Sequence, residues 1–465
     1  MVTLRRAALA LVVAAVAGAT VPAVGSTSTR HFSRPIHVDV SAANATGEPS
    51  IAVARDGTEY IVAPDGAGVR TPNAIGAGGS GGSLIWRSPD RGRTWAFLGN
   101  YDLPTGGGDT DAAVMPNGTV VASGLSSVAC ATVAVSTDKA QSWRADPLAG
   151  CATFPLMNDR QWTAVDGNNT VYTVIGNTVE GGLDLVRAKP GVLGVTPTTT
   201  LQLYTGGDYE WPGTIALNSR DGTAYVVWNT TGSPDDCDGT SGDSCTPAAA
   251  SSKTPDLIEV SVVPRGATAA PTPRVVASRH FDTYDSFVTD AVDSAGNVYV
   301  VWSERHPAQR ETWIMLSTSH NRGRSWSAPQ RINRVPSTTT YPWVTAGDAG
   351  RIAISYYGTS AHGYSPQSVP SGATWYVYST FSTDGGRHFA EYRTTGPIQH
   401  GMICTSGTGC AAGTRNLLDF FETAADPQGC LVTSYADNSA NAGAAVVSYV
   451  RQTSGPGLSA RRPCR

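Results

Sequence analysis

The apolar residues of this chain gather in short β-rich runs closed by Asp, Asn and Gly, and the runs come in a fixed order. Seven segments repeat two runs around a polar turn. The first reads Ser50-Ile51-Ala52-Val53-Ala54, then Arg55-Asp56-Gly57, then Glu59-Tyr60-Ile61-Val62. The others open near Asp111, Trp162, Gly213, Phe287, Trp343 and Glu422. A third apolar run follows each pair, as in Leu257 to Val263 and Ala444 to Val450, and most are followed by a fourth, as in Leu201 to Tyr204 and Gln330 to Val335. Four strands recurring roughly every 50 to 80 residues are what a propeller blade requires. The pattern predicts an all-β, seven-bladed β-propeller. Six blades are the alternative, because the second repeat, 111–143, is irregular; a β-sandwich does not explain a unit recurring in one internal order. The last unit has little chain left for a fourth strand, whereas Arg34 to Val40 resembles one and precedes the first unit. That N-terminal run is predicted to be the outer strand that closes the ring.

Between the third and fourth runs of several units stands an octamer. It reads Ser88-Pro89-Asp90-Arg91-Gly92-Arg93-Thr94-Trp95 and returns at Ser319, Asn321, Gly323 and Trp326, and again at Ser382, Asp384, Gly386 and Phe389, with a worn copy from Ser136 to Trp143. The Asp or Asn side chain can bond the turn's backbone, Gly permits positive φ, and the closing aromatic can fold back on the strands. Longer insertions at 63–82, 229–255, 357–373 and 396–418 fall at the two other connections, on the face opposite the octamers. Loops on a rigid scaffold shape sites, so that face is the predicted binding side.

Residues 1–25 read as a secretory signal: Arg5-Arg6, an apolar run from Ala7 to Val16, then small residues. Residues 26–465 are then one propeller domain, secreted, with no later run apolar enough to span a membrane. The 8 cysteines fit an oxidising compartment. Sequence neighbours would pair Cys130 with Cys151, Cys237 with Cys245 and Cys404 with Cys410, leaving Cys430 for Cys464, although spacing alone does not prove connectivity. A formal charge of -4 gives no reason to expect nucleic acid. No metal or cofactor motif is present: Asp235 to Asp243 is oxygen-rich but does not match a calcium loop.

The octamer pattern resembles the Asp-box, or bacterial neuraminidase repeat, of secreted propellers in the sialidase-like superfamily. The resemblance implies that Asp90 and its counterparts build turns away from the ligand. Sialidases carry Phe/Tyr-Arg-Ile-Pro near the start, where this chain reads Glu48-Pro49-Ser50-Ile51. The resemblance therefore implies a broader carbohydrate-cleaving enzyme, a glycosidase or polysaccharide lyase acting on an extracellular glycan, with an acidic glycan as one expectation. A non-catalytic propeller that binds a glycan or protein is the alternative, and a monomer is expected.

Residues just before each innermost strand should ring the axis: Glu48, Asp109, Asp111, Asp159, Arg160, Trp162, Glu210, Trp211, Tyr284, Asp285, Tyr341, Trp343, Arg415 and Asp419. Aromatics offer flat apolar faces to sugars, and acids and arginines fix hydroxyls or a carboxylate. Candidate catalytic residues are Asp159, Glu210, Asp285, Glu304 and Tyr357, since glycoside cleavage needs two carboxyls or a Tyr nucleophile. Candidate binding residues are Arg160, Trp162, Trp211, Arg305, Trp343, Arg415 and Asp419, with Arg160, Arg305 and Arg415 expected to converge on an anionic group.

Overall fold

The computed structural model describes residues 29–38, 46–64, 82–102, 108–126, 130–150, 158–177, 182–205, 209–230, 255–279, 283, 286–306, 309–405, 410, 414, 417–439 and 445–465. The expected signal, most of the insertions at 63–82 and 229–255, and Cys151, Cys237, Cys245, Tyr284, Asp285 and Arg415 lie outside them, as do the side chains of Cys130, Asp159, Glu210 and Trp211.

Seven antiparallel sheets each run outward in sequence order. Their innermost strands are Ser50–Val53, Gly108–Val114, Asn158–Val165, Tyr209–Leu217, Thr289–Val292, Thr338–Ala346 and Glu422–Ala425. Each touches the next around the ring, and Glu422–Ala425 touches Ser50–Val53, so the circle is closed. The irregular second repeat forms a full four-stranded blade, which removes the six-bladed alternative. Closure follows the N-terminal expectation: His31–Phe32 and Ile36–His37 both pair with Val446–Pro456, the third strand of blade seven. Pro463–Cys464 adds a second, C-terminal pairing to the same strand.

The core lies between blades. Ile51, Ile61, Leu84 and Trp86 of blade one meet Val432, Val447 and Tyr449 of blade seven, while Tyr60, Val62 and Ile85 meet Val120, Ala122 and Ala134 of blade two. Second strands such as Ala224–Thr230 are therefore covered on both faces and read as unbroken apolar runs.

The octamers share one hydrogen-bond scheme. The Ser88 hydroxyl donates to Asp90 Oδ1 (2.9 Å) and accepts from Gly92 N–H (2.8 Å), while Asp90 accepts from Thr94 N–H (2.9 Å) and its hydroxyl (2.7 Å). Ser382, Asp384, Gly386 and His388 repeat the scheme, as do Ser319, Asn321, Gly323 and Ser325, except that there the Asn321 amide donates to the Ser325 hydroxyl. The fifth position takes positive φ in every copy: 74° at Gly92, 75° at Gly323, 84° at Gly386 and 65° at Ala140 of the worn copy. A Cβ on Gly92 would stand 2.2 Å from the Tyr449 ring. Glycine is needed there for both conformation and space. Cys404–Cys410 and Cys430–Cys464 are disulfide-bonded, as their spacing suggested.

Candidate functional site

The regular ladders stop short of one end of the ring, the end where the innermost strands begin. In blades one, five and seven the innermost strand has only 4 residues. In blades two, three, four and six it is longer but broken near its start by a register shift, at Gly108/Thr110, Asp159/Gln161, Tyr209/Trp211 and Thr340/Trp343. Such breaks re-aim side chains that regular alternation would send into the blades. Four non-glycine residues at this end hold left-handed backbone: Glu48 (φ 49°), Arg160 (71°), Tyr341 (54°) and Leu418 (56°). Each such residue costs on the order of 1–3 kcal/mol, and such strain clusters at functional sites.

The breaks bring four blades together on Arg160. Its guanidinium lies 3.1 Å from Asp109 Oδ1, 2.7 Å from Asp419 Oδ2 and 3.7 Å from Glu48 Oε1. Glu48 also accepts the Asp419 N–H at 3.0 Å, which fixes the backbone that carries Asp419. Arg160 stacks 4.0 Å above the Phe287 ring and 5.4 Å from Phe420. Those rings close with Trp162 and Trp343 into an aromatic plug: Trp162 lies 4.9 Å from Phe420, 5.7 Å from Phe287 and 5.3 Å from Trp343. The side chains of Arg160 and Glu48 are 3% exposed, whereas Asp109 keeps 13% and Asp419 12%, so these two carboxylates are the members of the hub that face solvent.

A second polar layer lies two or three residues further along the same four chains. The Ser50 hydroxyl is 3.0 Å from Asp111 Oδ1 and 2.6 Å from Glu422 Oε2. Glu422 Oε2 also accepts the Ile51 N–H, and Asp111 accepts the N–H groups of Ala112 and Thr163. Both carboxyls are buried, and among the described residues neither has a cation as partner. Burial pushes Asp111 up to about 7 and Glu422 well above the usual carboxylate range, and their mutual repulsion adds to the rise at Glu422.

The sequence-derived candidates separate on this geometry. Arg160 and Asp419 meet; Asp109 and Glu48, which belonged to the expected axial ring but to neither role, complete the hub. Trp162, 2% exposed, is a plug residue whose indole N–H reaches the Pro212 carbonyl at 3.3 Å. Trp343 borders it, half-buried. Glu304 and Arg305 stand near the end of Val298–His306, the second strand of blade five. Glu304 is buried against Arg279, with two contacts of 2.7 Å, and against His306 (2.9 Å) and the Trp302 indole (3.2 Å). Burial alone would raise its pKa; the His306 and Arg279 contacts outweigh that and hold it below the ordinary value. Tyr357 corrects the expectation of a nucleophile: it is fully buried, stacked 4.3 Å from Phe421, with its hydroxyl accepting the Ala436 N–H at 3.1 Å. Burial raises its pKa, the reverse of activation. Phe287 and Phe420 were missed as site residues, although each lies two residues before an innermost strand.

Fold and site together define a seven-bladed propeller with a polar, strained axial mouth. No protein-family model matches the chain, and no curated protein matches it. Among solved structures it is similar to a protein of unknown function from Dyadobacter fermentans, at 13% identity over 76% of this chain and 98% of that one, TM-score 0.46. It is similar to the α-L-arabinofuranosidase of Fusarium graminearum in complex with an iminosugar inhibitor, at 14% identity over 70% and 93%, TM-score 0.46. An ulvan lyase, a polysaccharide lyase, gives 13% identity over 89% and 79%, TM-score 0.35. No helix among the described residues is long and apolar enough to cross a membrane.

Proposed function

We propose that this chain is a secreted, monomeric propeller of the Asp-box kind that cleaves a glycosidic bond at its axial mouth, with Asp109 and Asp419 as the carboxyl pair. The observation that carries the reading is their placement: the two solvent-facing carboxylates grip opposite ends of one buried guanidinium. The terminal nitrogens of a guanidinium fix their oxygens no more than about 8 Å apart, within the span that glycoside cleavage uses. One carboxyl gives a proton to the leaving oxygen; the other takes a proton from the water that adds to the anomeric carbon. Arg160 holds both in place, and Glu48 positions Arg160 and Asp419. Three carboxylates against one guanidinium, among the described residues, favour a neutral, hydroxyl-rich glycan over the acidic one first expected.

The test is turnover on a panel of neutral and acidic oligosaccharides. The wild type should cleave a neutral glycan, and Asp109→Asn and Asp419→Asn should each lower kcat by about 10³-fold or more with the fold intact. A second reading, glycan binding without cleavage, is favoured by the sealed state of Arg160 and Glu48 beside the aromatic plug. Folded wild type that binds a glycan and releases no product would establish it against the first.

A further inference from the structure

We propose that Asp111, Glu422 and the Ser50 hydroxyl form a proton-sharing latch across the seam of the ring, closed in mildly acidic medium and loosened above neutrality. A serine hydroxyl has one proton, yet Ser50 Oγ lies within hydrogen-bond distance of a carboxyl oxygen on each side, and it also accepts the Ala112 N–H at 3.2 Å. With both carboxylates ionised, one of the two contacts would set lone pair against lone pair. A proton on one carboxyl turns that contact into a second hydrogen bond. The two carboxyls also hydrogen-bond each other, which again requires a proton on one of them, and the N–H groups of Ile51, Ala112 and Thr163 satisfy oxygens without supplying charge.

The position gives the proton its leverage. Glu422 begins the innermost strand of blade seven, Ser50 that of blade one, and Asp111 lies within that of blade two. The hydroxyl bridge therefore spans the joint where the last blade meets the first, the joint that no continuous strand crosses at the axis. The Ser434 hydroxyl adds one bond there, to the Pro49 carbonyl at 3.2 Å. Among the described residues, the charged groups in the layer above are Glu48, Asp109, Arg160 and Asp419, and Arg160 is shared among the three carboxylates; beside Asp111 lie Tyr101, which interacts with it electrostatically, and Asp102. When the shared proton leaves, two buried carboxylates face each other across one hydroxyl. Asp419, three residues from Glu422, and Glu48, two from Ser50, then lose their support, so the latch couples pH to the geometry of the mouth. Its test does not depend on what the mouth binds.

The experiment compares thermal unfolding and hydrogen exchange of the full chain and its Glu422→Gln variant. Glutamine keeps the shape of the protonated acid, stays neutral at every pH and leaves a carbonyl oxygen to accept the Ser50 hydroxyl and the Ile51 N–H. Wild-type Tm should fall by about 5 °C between roughly pH 5.5 and 8.5, with exchange rising first at Ile51, Ala112 and Thr163, and the variant should lose a large part of that fall. Glu59 and Asp290, which burial also pushes up to about 7, and Asp102 and Asp437, which it raises, contribute to the fall in both proteins. An unchanged pH slope in the variant would overturn the latch. Should the variant fail to fold, Asp111→Asn repeats the comparison. The wild type alone must also show an infrared carboxylic-acid band in mild acid that fades as the medium turns alkaline, and its absence would equally overturn the proposal.

Discussion

The two polar layers at the axis come from the same four blades and differ by one residue type. In the upper layer Arg160 joins Glu48, Asp109 and Asp419; in the lower, Asp111 and Glu422 meet each other, the Ser50 hydroxyl and backbone N–H groups. Buried carboxylates need either a cation or a proton, and each layer uses one of the two solutions. The upper layer sets its carboxyls on a guanidinium and keeps slight exposure at Asp109 and Asp419; the lower layer is buried. Blade five repeats the first solution away from the axis, where Arg279 and His306 keep Glu304 ionised without opening it to the mouth. A buried charge therefore marks a site only where the backbone also breaks to present it, as at Arg160.

The comparison breaks hardest at Arg160. Replacing it with methionine leaves three carboxylates around an apolar stem, and we expect a loss of about 3–5 kcal/mol, seen as a large fall in denaturant midpoint. Asp419→Asn keeps the cation and should cost much less stability than that, while turnover collapses; equal stability losses would mean that the hub is only a staple. Next comes pH. Glu59, Asp111 and Asp290 sit near 7 when folded, above their unfolded values, so their contribution is fully present below about pH 4 and is lost as pH rises through 7, at about 1.4 kcal/mol per unit for each as an upper bound. Glu304 acts in the opposite sense: held below its usual value, it contributes above its unfolded pKa and loses that as pH falls through the folded one. Stability should therefore peak in mild acid, and Glu304→Gln should weaken only the acid-side decline in a Tm series.

Smaller effects sharpen the scaffold side. Gly92→Ala places a methyl into the Tyr449 ring at φ 74° and should cost about 2–3 kcal/mol. Ala140→Gly, in the worn octamer at φ 65°, should gain about 1 kcal/mol, since it relieves left-handed strain in a turn whose hydrogen bonds are already complete. Chemical denaturation of both variants checks the pair, and neither should alter the mouth.

The blades, the octamer turns and the closure by the N-terminal run were legible because each is a local pattern: apolar runs, Asp and Gly at fixed offsets, a strand without a partner in its own unit. The mouth was legible only as a ring of positions. Which of Glu48, Asp109, Arg160 and Asp419 would meet depends on strand breaks in different blades, and no spacing encodes that. Tyr357 shows the reverse error. It lies near the end of the second strand Ile352–Thr359, but Tyr356 and Tyr357 point to opposite faces of a sheet covered on both sides, and both are core. Glu304 was misread for a similar reason: the run Ser303 to His306 signals polarity, not the bidentate contact with Arg279 that occupies it.

The most direct measurement is a crystal structure with a neutral oligosaccharide that the protein binds. The account predicts a sugar ring at the axial mouth, within hydrogen-bond distance of both Asp109 and Asp419, its glycosidic oxygen between them. A sugar bound on the octamer face or along the outer strands, with the mouth empty, would contradict it.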